Sequence, residues 1–269
     1  IELIKQLHNS FPKYEIIQTD IDNLDIINHS QVLEFFERYE PEVAINCAAY
    51  TNVDRCETDE MNAFKVNAIG AQNVAIAAYK IGAKVVQVST DYVFDGTGST
   101  PKREYDVINP HSCYGKSKAL AEKLVREMNP RHYIIRTAWL YGEGNNFVRT
   151  MLRLAKERKE IDVVYDQIGS PTSTVDLAIC IINLIHTESY GTYHATCEGA
   201  CSWYDFAKKI FDLRGIDIKV NKITTEQLNR PANRPKYSVL DNFMLNLIGL
   251  NTFRDWEEAL KEYLLRNDD

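Results

Sequence analysis

The sequence lacks any apolar run long enough to cross a lipid bilayer. The longest run that we find extends from Leu177 to Ile185, and Asn183 interrupts it. A transmembrane helix needs roughly 20 mainly apolar residues, so this run predicts a buried helix instead. The opening stretch, IELIKQLHNS, also lacks the basic start and apolar core of a secretory signal peptide. We therefore predict no membrane partner and a cytoplasmic location.

Cysteine is too sparse to form a disulfide framework. The 269 residues contain six cysteines without tight pairing. Cys47 and Cys180 lie in apolar runs and are predicted to be buried. His194, Cys197 and Cys201 lie close together, but their spacing matches no common zinc motif and no second half-site follows. We therefore predict no metal site.

Basic residues form no stripe along the chain, and the net charge is −7. This pattern argues against nucleic acid as a partner, because proteins that bind it concentrate lysine and arginine on one face. A phosphorylated small molecule is still compatible with an acidic chain, since a few local arginines are enough to bind it. The composition, 45% hydrophobic and 26% charged, is typical of a globular protein with a full core.

Short apolar segments alternate with helical ones over the first half of the chain. The pattern predicts strands at residues 14–20, 41–49, 84–90 and 133–139, and helices at residues 30–39, 59–80, 111–128 and 147–158. Such alternation is typical of a parallel sheet covered by helices on both faces. We therefore predict an α/β fold with a doubly wound, Rossmann-like parallel sheet. Residues 1–141 would form the main domain, and residues 142–269 a smaller C-terminal α/β lobe with some segments returning to the main domain.

Polar and aromatic clusters follow the predicted strands. In an open parallel sheet, ligands bind beyond the carboxyl ends of the strands. This rule selects residues 20–25, 48–54, 89–94 and 137–141, which are also where the clusters occur. The candidate site is therefore predicted along this edge of the sheet.

Three side chains near this edge form a candidate catalytic set. Tyr114 and Lys118 are four residues apart, so a helix would place them on one face. A nearby ammonium favours the phenolate and lowers the pKa of a tyrosine, which lets the phenol exchange a proton near neutral pH. Thr90, at the end of a predicted strand, would hydrogen-bond an oxygen that gains charge. Together they would polarise a carbonyl and protonate it as hydride arrives; the alternative is an ordinary surface pair on a helix.

Motifs that follow one another along the chain carry a family resemblance. They are VSTDYVFDG, YGKSK and IIRTAWLYG, with INCAAYTNVDRCE, VNAIGAQNVA, GNNFVRTML, DQIGSPT and RPANRPKYSVLD. The series resembles the extended short-chain dehydrogenase/reductase superfamily and, more narrowly, the dTDP-4-dehydrorhamnose reductases. The resemblance covers nearly the whole chain, and an ordered series is far more specific than a lone tyrosine–lysine pair.

The resemblance implies a reaction. Members of this family reduce the C4 ketone of dTDP-4-dehydro-L-rhamnose to give dTDP-L-rhamnose, with NADH or NADPH as the hydride source. By motif, Tyr114 would be the general acid and Thr90 would hydrogen-bond the ketone. Lys118 would lower the pKa of Tyr114 and hold the nicotinamide ribose. Residues 1–141 would be the dinucleotide-binding domain, and residues 142–269 mainly the substrate-binding lobe.

The resemblance also implies binding positions. Besides Tyr114 and Lys118, the cofactor would contact Asp25, Ile26, Ala48, Ala49, Tyr50, Asn67, Val88 and Ser89. The small-molecule nucleotide sugar would contact Thr51, Asp91, Tyr92, Trp139, Gln167, Pro171, Thr172 and Arg234. Alternatives stay open for several of them: Asp25 in a polar turn, Trp139 as a core aromatic, Tyr92 as a loop aromatic, and the neighbouring Arg230 as a solvated basic residue.

One motif of the family is absent from the sequence. Members open with a strand and a glycine-rich turn, GxxGxxG, which seats the pyrophosphate of the dinucleotide on helix N-terminal amides. This sequence begins at Ile1 in a stretch that resembles the middle of the following helix. We expect that the natural chain has an upstream segment, and that residues 1–269 alone bind the dinucleotide poorly.

Two other functions are compatible with the motifs. Another sugar-nucleotide reductase or epimerase of the superfamily would share the tyrosine and the lysine. The regulatory beta subunit of methionine adenosyltransferase also resembles the family and acts by binding a partner. Related reductases form homodimers or bind magnesium between subunits, but the sequence shows no complete acidic site for that metal. The choice between NADH and NADPH is left open by the sequence.

Overall fold

A four-stranded parallel sheet lies at the centre of the computed structural model, which describes residues 1–267. The strands are β1 (Val43–Asn46), β2 (Lys84–Thr90), β3 (His132–Thr137), β4 (Leu140–Tyr141), β5 (Glu160–Val164), β6 (Ile168–Gly169), β7 (Thr172–Ser173), β8 (Gly191–His194), β9 (Cys201–Ser202) and β10 (Lys219–Ile223). The sheet has the order β1-β2-β3-β8, and every pair is parallel. Most side chains of β2 and β3 are buried, as expected for strands covered on both faces.

Helices cover both faces of this sheet. They are α1 (Glu2–Ser10), α2 (His29–Tyr39), α3 (Val53–Cys56), α4 (Glu60–Phe64), α5 (Ala71–Lys80), α6 (Cys113–Met128), α7 (Phe147–Glu157), α8 (Thr174–Ile185), α9 (Trp203–Arg214), α10 (Thr225–Leu228), α11 (Phe243–Leu247) and α12 (Trp256–Arg266). Val85 packs with α2, α5 and α6, whereas Val86 packs with α1 and α8 on the other face. The predicted α/β fold with a doubly wound parallel sheet is confirmed. None of the helices within residues 1–267 has the length and apolar composition of a membrane span.

The helical stretch predicted at residues 59–80 contains a π-helical segment. This segment, Lys65–Gly70, joins α4 to α5 without a break. The stretch ends before Gly82, whose φ of +74° suits the left-handed turn that ends many helices. A π-helical turn inside an α-helix often marks a functional site, and this one contains Asn67.

Residues 14–20 do not form the predicted strand. Their apolar residues suggest a strand, but a strand also needs a hydrogen-bonded neighbour, and no described segment pairs with this one. β1 is shorter than predicted, because the chain bends after Asn46, whose Oδ1 accepts a hydrogen bond from the Ala48 amide. The predicted strands at residues 84–90 and 133–139 and the four predicted helices are confirmed, with small shifts at their ends.

Residues 140–267 add three short two-stranded sheets. β5 pairs with β10 and β4 with β7, both in parallel, while β6 pairs with β9 antiparallel. β8 returns to the central sheet. One continuous core links Tyr133 of β3 to Phe206 of α9 and Leu260 of α12. The division into domains at residue 141 stays a prediction.

Candidate active site

Thr90 is the last residue of β2 and lies at the carboxyl edge of the sheet. Its Oγ1 donates a hydrogen bond to Asp91 Oδ1 at 2.8 Å and accepts one from the Tyr92 amide at 3.3 Å. Asp91 is buried, and its Oδ2 has no hydrogen-bond partner within residues 1–267. Burial raises the pKa of Asp91 to about 6, while the Thr90 and Ser238 hydroxyls act in the opposite direction. Thr90 therefore has a neighbour that can exchange a proton near neutral pH.

Helix α6 begins close to this edge and presents Tyr114. Ser112 caps the helix by accepting a hydrogen bond from the Gly115 amide at 3.1 Å. Gly115 allows a close approach, because a Cβ there would lie 2.2 Å from the carbonyl oxygen of Tyr92. The rings of Tyr92 and Tyr114 meet edge to face, with centroids 5.6 Å apart. The chain after β2 and the start of α6 are thus packed into one unit.

Lys118 lies beneath Tyr114 and is almost fully buried. Its Nζ donates a hydrogen bond to the carbonyl oxygen of Val88 at 2.5 Å, two residues before Thr90 on β2. The Thr90 hydroxyl in turn lies close enough to Tyr114 to stabilise its phenolate. The structure therefore brings the three residues of the predicted catalytic set together.

The pKa of the Tyr114 phenol shifts in the direction opposite to the prediction. Burial raises the pKa of the Tyr114 phenol, and Thr90 opposes this only in part. Burial also lowers the pKa of Lys118 to about 8, with Glu122 and Cys47 acting in the opposite direction. The predicted lowering of the Tyr114 pKa is therefore wrong for this structure, because the desolvation of the buried phenol outweighs the hydrogen bond from Thr90. The phenol keeps its proton at neutral pH, as a general acid must before it reacts.

A buried ion pair that sequence reasoning missed supports this unit. Glu122 accepts hydrogen bonds from Arg136 Nε at 2.9 Å and Nη2 at 2.7 Å. Its Oε1 also accepts from Ser89 Oγ at 2.6 Å. The Ser89 hydroxyl, predicted to contact the cofactor, is thus engaged inside the protein. The spacing was a usable signal, because Glu122 lies four residues after Lys118 on the same face of α6.

Asn67, in the π-helical segment, fixes the backbone that follows β1. Its Oδ1 accepts from the Tyr50 amide at 2.7 Å, and its Nδ2 donates to the Tyr50 carbonyl at 3.2 Å. The same Nδ2 donates to Ser117 Oγ on α6 at 2.9 Å. Asn67 therefore ties Tyr50 to α6, whereas the Tyr50 hydroxyl donates to Asp59. The next residue, Thr51, is exposed at the same edge.

A cavity of about 550 Å³ lies beside β1. Among its lining residues are four that were predicted to contact the cofactor: Asp25, Ile26, Ala48 and Ala49. Asp25 also forms a turn, because its Oδ1 accepts from the Ile27 amide at 3.0 Å. Cys47 borders this cavity and is exposed, so its predicted burial is wrong, whereas that of Cys180 is confirmed.

Trp139 follows β3 in an unusual conformation, with φ at +49°. Its indole stacks on that of Trp203 at a centroid distance of 3.5 Å and an angle of 7°. Gly169 lies against the same indole, and a Cβ there would be 2.4 Å from it. Packing from both neighbours holds the strained backbone of Trp139 in place. Trp203 had no sequence signal, because it lies far from Trp139 along the chain.

The predicted substrate residues of the second lobe are engaged in internal contacts. Gln167 is buried; its Oε1 accepts from Trp203 Nε1 at 3.1 Å, and its Nε2 donates to Thr225 Oγ1 at 3.0 Å. Thr172 is fully buried, and its hydroxyl donates to the Ser170 carbonyl at 3.1 Å. Pro171, between them in sequence, is buried as well. In this structure the polar groups of Gln167 and Thr172 support the lobe.

Arg234 forms an ion pair across the two halves of the chain. Its Nη1 and Nη2 each donate to one oxygen of Asp54 at 2.9 Å. Arg230 is more exposed and lies 3.5 Å from the same carboxylate. The hydrogen bonds from Arg234 hold the pKa of Asp54 below its ordinary value. Sequence reasoning missed Asp54, although it lies in the segment selected at the carboxyl edge.

The cluster of His194, Cys197 and Cys201 is built into the core. No grouping of three metal-ligating side chains is found within the described part of the chain, residues 1–267. His194 lies beside Arg136, and burial lowers its pKa to about 3. Cys197 and Cys201 are both buried.

The fold and the site agree with the family resemblance of the sequence. A doubly wound parallel sheet carries Thr90 at the end of an inner strand, and Tyr114 and Lys118 lie on the next helix, as that resemblance predicts. A family model, described as the RmlD substrate binding domain, matches residues 1–268. The chain belongs to this family.

Individual relatives agree with this assignment. A dTDP-4-dehydrorhamnose reductase of Aggregatibacter actinomycetemcomitans is 43% identical over 93% of this chain and 89% of its own. A spore coat polysaccharide biosynthesis protein of Bacillus subtilis is 43% identical over 98% of this chain and 92% of its own. Among solved structures, a dTDP-4-dehydrorhamnose reductase of Clostridium acetobutylicum is 53% identical, with a TM-score of 0.97 over 100% of this chain and 95% of that one. The enzyme of Bacillus anthracis, solved in complex with NADP, is 46% identical, with a TM-score of 0.95 over 98% and 95%.

Proposed function

We propose that this protein reduces the C4 ketone of dTDP-4-dehydro-L-rhamnose to give dTDP-L-rhamnose, with NADH or NADPH as the hydride donor. The observation that carries the proposal is the meeting of Thr90, Tyr114 and Lys118 at the carboxyl end of β2. Three of the relatives that are more than 40% identical to this chain are dTDP-4-dehydrorhamnose reductases, and one of these was solved in complex with NADP.

The residues around the cavity beside β1 fit a dinucleotide. Ala48 and Ala49 leave room for close approach of a ligand, and Asp25 and Ile26 border the same space. We infer that these residues hold the adenosine half, with Asn67 fixing the backbone beside it. Lys118 and the backbone of Val88 and Ser89 would hold the nicotinamide half.

Each catalytic side chain has a distinct task in this proposal. When bound, the reduced nicotinamide supplies the hydride that the ketone carbon receives. Tyr114 gives its proton to the ketone oxygen, and burial keeps that proton in place beforehand. Lys118 stabilises the phenolate that forms, because it lies one helical turn away. Thr90 donates a hydrogen bond to the same oxygen once its hydrogen is released from Asp91.

The sugar nucleotide would lie between the chain that follows β1 to β3 and the second lobe. Thr51, Tyr92 and Trp139 are at least partly exposed at this edge and would contact the substrate directly. Arg234 would bind the diphosphate, since guanidinium pairs well with phosphate oxygens. Gln167, Pro171 and Thr172 would support the substrate site by packing within the second lobe. The buried Asp91 would act on the substrate through its hydrogen bond with Thr90.

The test is a turnover assay with the purified protein. We would supply dTDP-4-dehydro-L-rhamnose with NADPH or NADH and follow the loss of reduced nicotinamide absorbance. Tyr114→Phe removes only the phenolic hydroxyl, and we expect kcat to fall by about 10³-fold because general acid catalysis is lost. Turnover that survives this substitution would contradict the assigned role.

Other outcomes separate the alternative functions. An absence of turnover with both cofactors, in a folded protein, would reject this reductase activity. A panel of nucleotide sugars would then identify a different reductase or an epimerase. Co-purification of a methionine adenosyltransferase without turnover would favour the regulatory function.

A homodimer and a cytoplasmic location complete the proposal, and light scattering of the purified chain tests the homodimer.

A further inference from the structure

Asp54 and Arg234 form an ion pair in which Asp54 has no role in the catalytic steps described above. Asp54 lies on α3, one short loop beyond Ala49 of the cavity beside β1, and Arg234 lies in the loop after α10. The two guanidinium–carboxylate bonds are both 2.9 Å long, and the Ala232 amide also donates to Asp54 at 3.2 Å. Such two-point pairing fixes the direction of an arginine as well as its distance. Asp54 therefore orders both the loop and its arginine.

This loop, residues 230–237, lies against the catalytic unit. Asn233 and Pro235 line a small space together with Tyr92. Pro235 also packs on Gly96, where a Cβ would be 2.4 Å from the Pro235 Cα, and the Tyr237 amide donates to the Gly96 carbonyl at 3.0 Å. The positive charge of Arg234 reaches Tyr92, where it opposes the rise in the pKa of that phenol. The arginine is thus close to the ring that contacts Tyr114.

The pairing leaves part of the guanidinium available. An arginine has five N–H groups. Asp54 accepts from one hydrogen of Nη1 and one of Nη2, and the Ala232 carbonyl accepts from Nη1 at 3.3 Å. Within residues 1–267 no acceptor engages Nε or the second hydrogen of Nη2. Two donors are therefore free for an anionic ligand while the carboxylate holds the group in place.

We propose that Asp54 is a positioning residue that holds Arg234 so that its free N–H groups bind the diphosphate of the nucleotide sugar. The inference rests on the proposed function for the identity of the substrate. Asp54 itself does not contact the diphosphate, since two anionic groups would repel each other. Its contribution is to keep the arginine extended toward the site before the substrate arrives, which lowers the entropic cost of binding.

The test compares Asp54→Asn with Asp241→Asn. Asp241 is a matched control, because it pairs with Arg103 at 3.0 Å and joins the two halves of the chain in a similar way. For Asp54→Asn we expect the KM of the nucleotide sugar and the dissociation constant of dTDP to rise roughly tenfold. The kcat, the KM of NADPH and the affinity for thymidine should change less than about twofold, because none of them depends on the diphosphate contact. Asp241→Asn should leave all of these values near those of the unmodified protein.

A second pair of variants distinguishes the loss of this ion pair from a folding defect. Arg234→Lys keeps the charge but loses two-point pairing, and the double variant with Asp54→Asn should bind dTDP no more weakly than Arg234→Lys alone. Additive losses, an unchanged affinity for dTDP in Asp54→Asn, or equal losses for dTDP and thymidine would each overturn the inference. The dTDP titration needs no turnover. A chain that binds dTDP but reduces no ketone would therefore reject the proposed function and still decide the role of Asp54.

Discussion

The chain that follows β2 and the chain that follows β3 both lead into the candidate site, but different forces hold them. At the end of β2, Glu122 of α6 accepts hydrogen bonds from Ser89 of β2 and from Arg136 of β3, and this buried network fixes β2 against α6. After β3, stacking on Trp203 and packing on Gly169 fix Trp139. Buried charges tolerate little change in geometry, whereas stacked rings can slide at modest cost. The residues proposed to transfer the proton thus have the more rigid support, and the proposed sugar-binding side has the more adaptable one.

The largest expected effect comes from breaking the charged network. Glu122→Gln keeps the shape of the side chain but leaves the buried Arg136 without its counter-charge. We expect the free energy of unfolding to fall by about 3 kcal/mol, as for other buried pairs that lose one partner. Urea denaturation measures it. Glu157→Gln, which breaks an exposed pair with Arg153 on α7, is the control and should cost less than about 0.5 kcal/mol. Equal losses in both variants would remove the proposed difference in rigidity.

A smaller effect is expected from the titration of Asp91. The pKa of this carboxyl is raised from 3.8 to about 6, so between these values the unfolded chain binds fewer protons than the folded one. The protein should therefore lose stability as the pH rises from about 4 to about 6, on the order of 2 kcal/mol. Asp91→Asn should abolish this loss in urea denaturation curves measured across the window.

The control for Asp91 is Asp95, whose titration has the opposite effect on stability. Hydrogen bonds from the Thr97 amide lower the pKa of Asp95, so its contribution to stability is present at neutral pH and disappears as the pH falls through the lowered pKa. Asp95→Asn should therefore weaken the protein at neutral pH relative to acid. The same sign of change in both variants would show that burial of Asp91 does not govern its titration.

The smallest expected effect comes from the aromatic side. Trp203→Leu removes the partner of Trp139, and we expect the KM of the nucleotide sugar to rise about fivefold with kcat nearly unchanged. Two indoles in parallel contact also couple in circular dichroism, and this signal should vanish with the stack. Trp256→Phe removes the third tryptophan, which meets Phe206 edge to face, and should leave the coupled signal intact. A large fall in kcat for Trp203→Leu would instead place the stack within the catalytic unit.

The residues that could be placed from the sequence are those that lie on regular helices and strands. The spacing of Tyr114 and Lys118 has meaning on a helix, and Thr90 ends a strand whose apolar pattern is clear, so their meeting was predictable. The partners of Trp139 and Arg234 were not, because Trp203 and Asp54 reach them through contacts between distant parts of the chain. Cys47 shows a third limit. It follows an apolar run, but it lines the cavity beside β1 and is exposed there.

The π-helical segment Lys65–Gly70 makes the chain sensitive to length as well as to composition. Such a segment amounts to one extra residue in an α-helix. Deleting a residue there would restore the regular i→i−4 hydrogen bonds of an α-helix. It would also rotate the part of the helix before the deletion by roughly 100° relative to the part after it. Asn67 would then no longer reach both Tyr50 and Ser117, which it now bridges. Anyone who shortens or grafts this helix should therefore keep its residue count, even where the individual side chains can be exchanged.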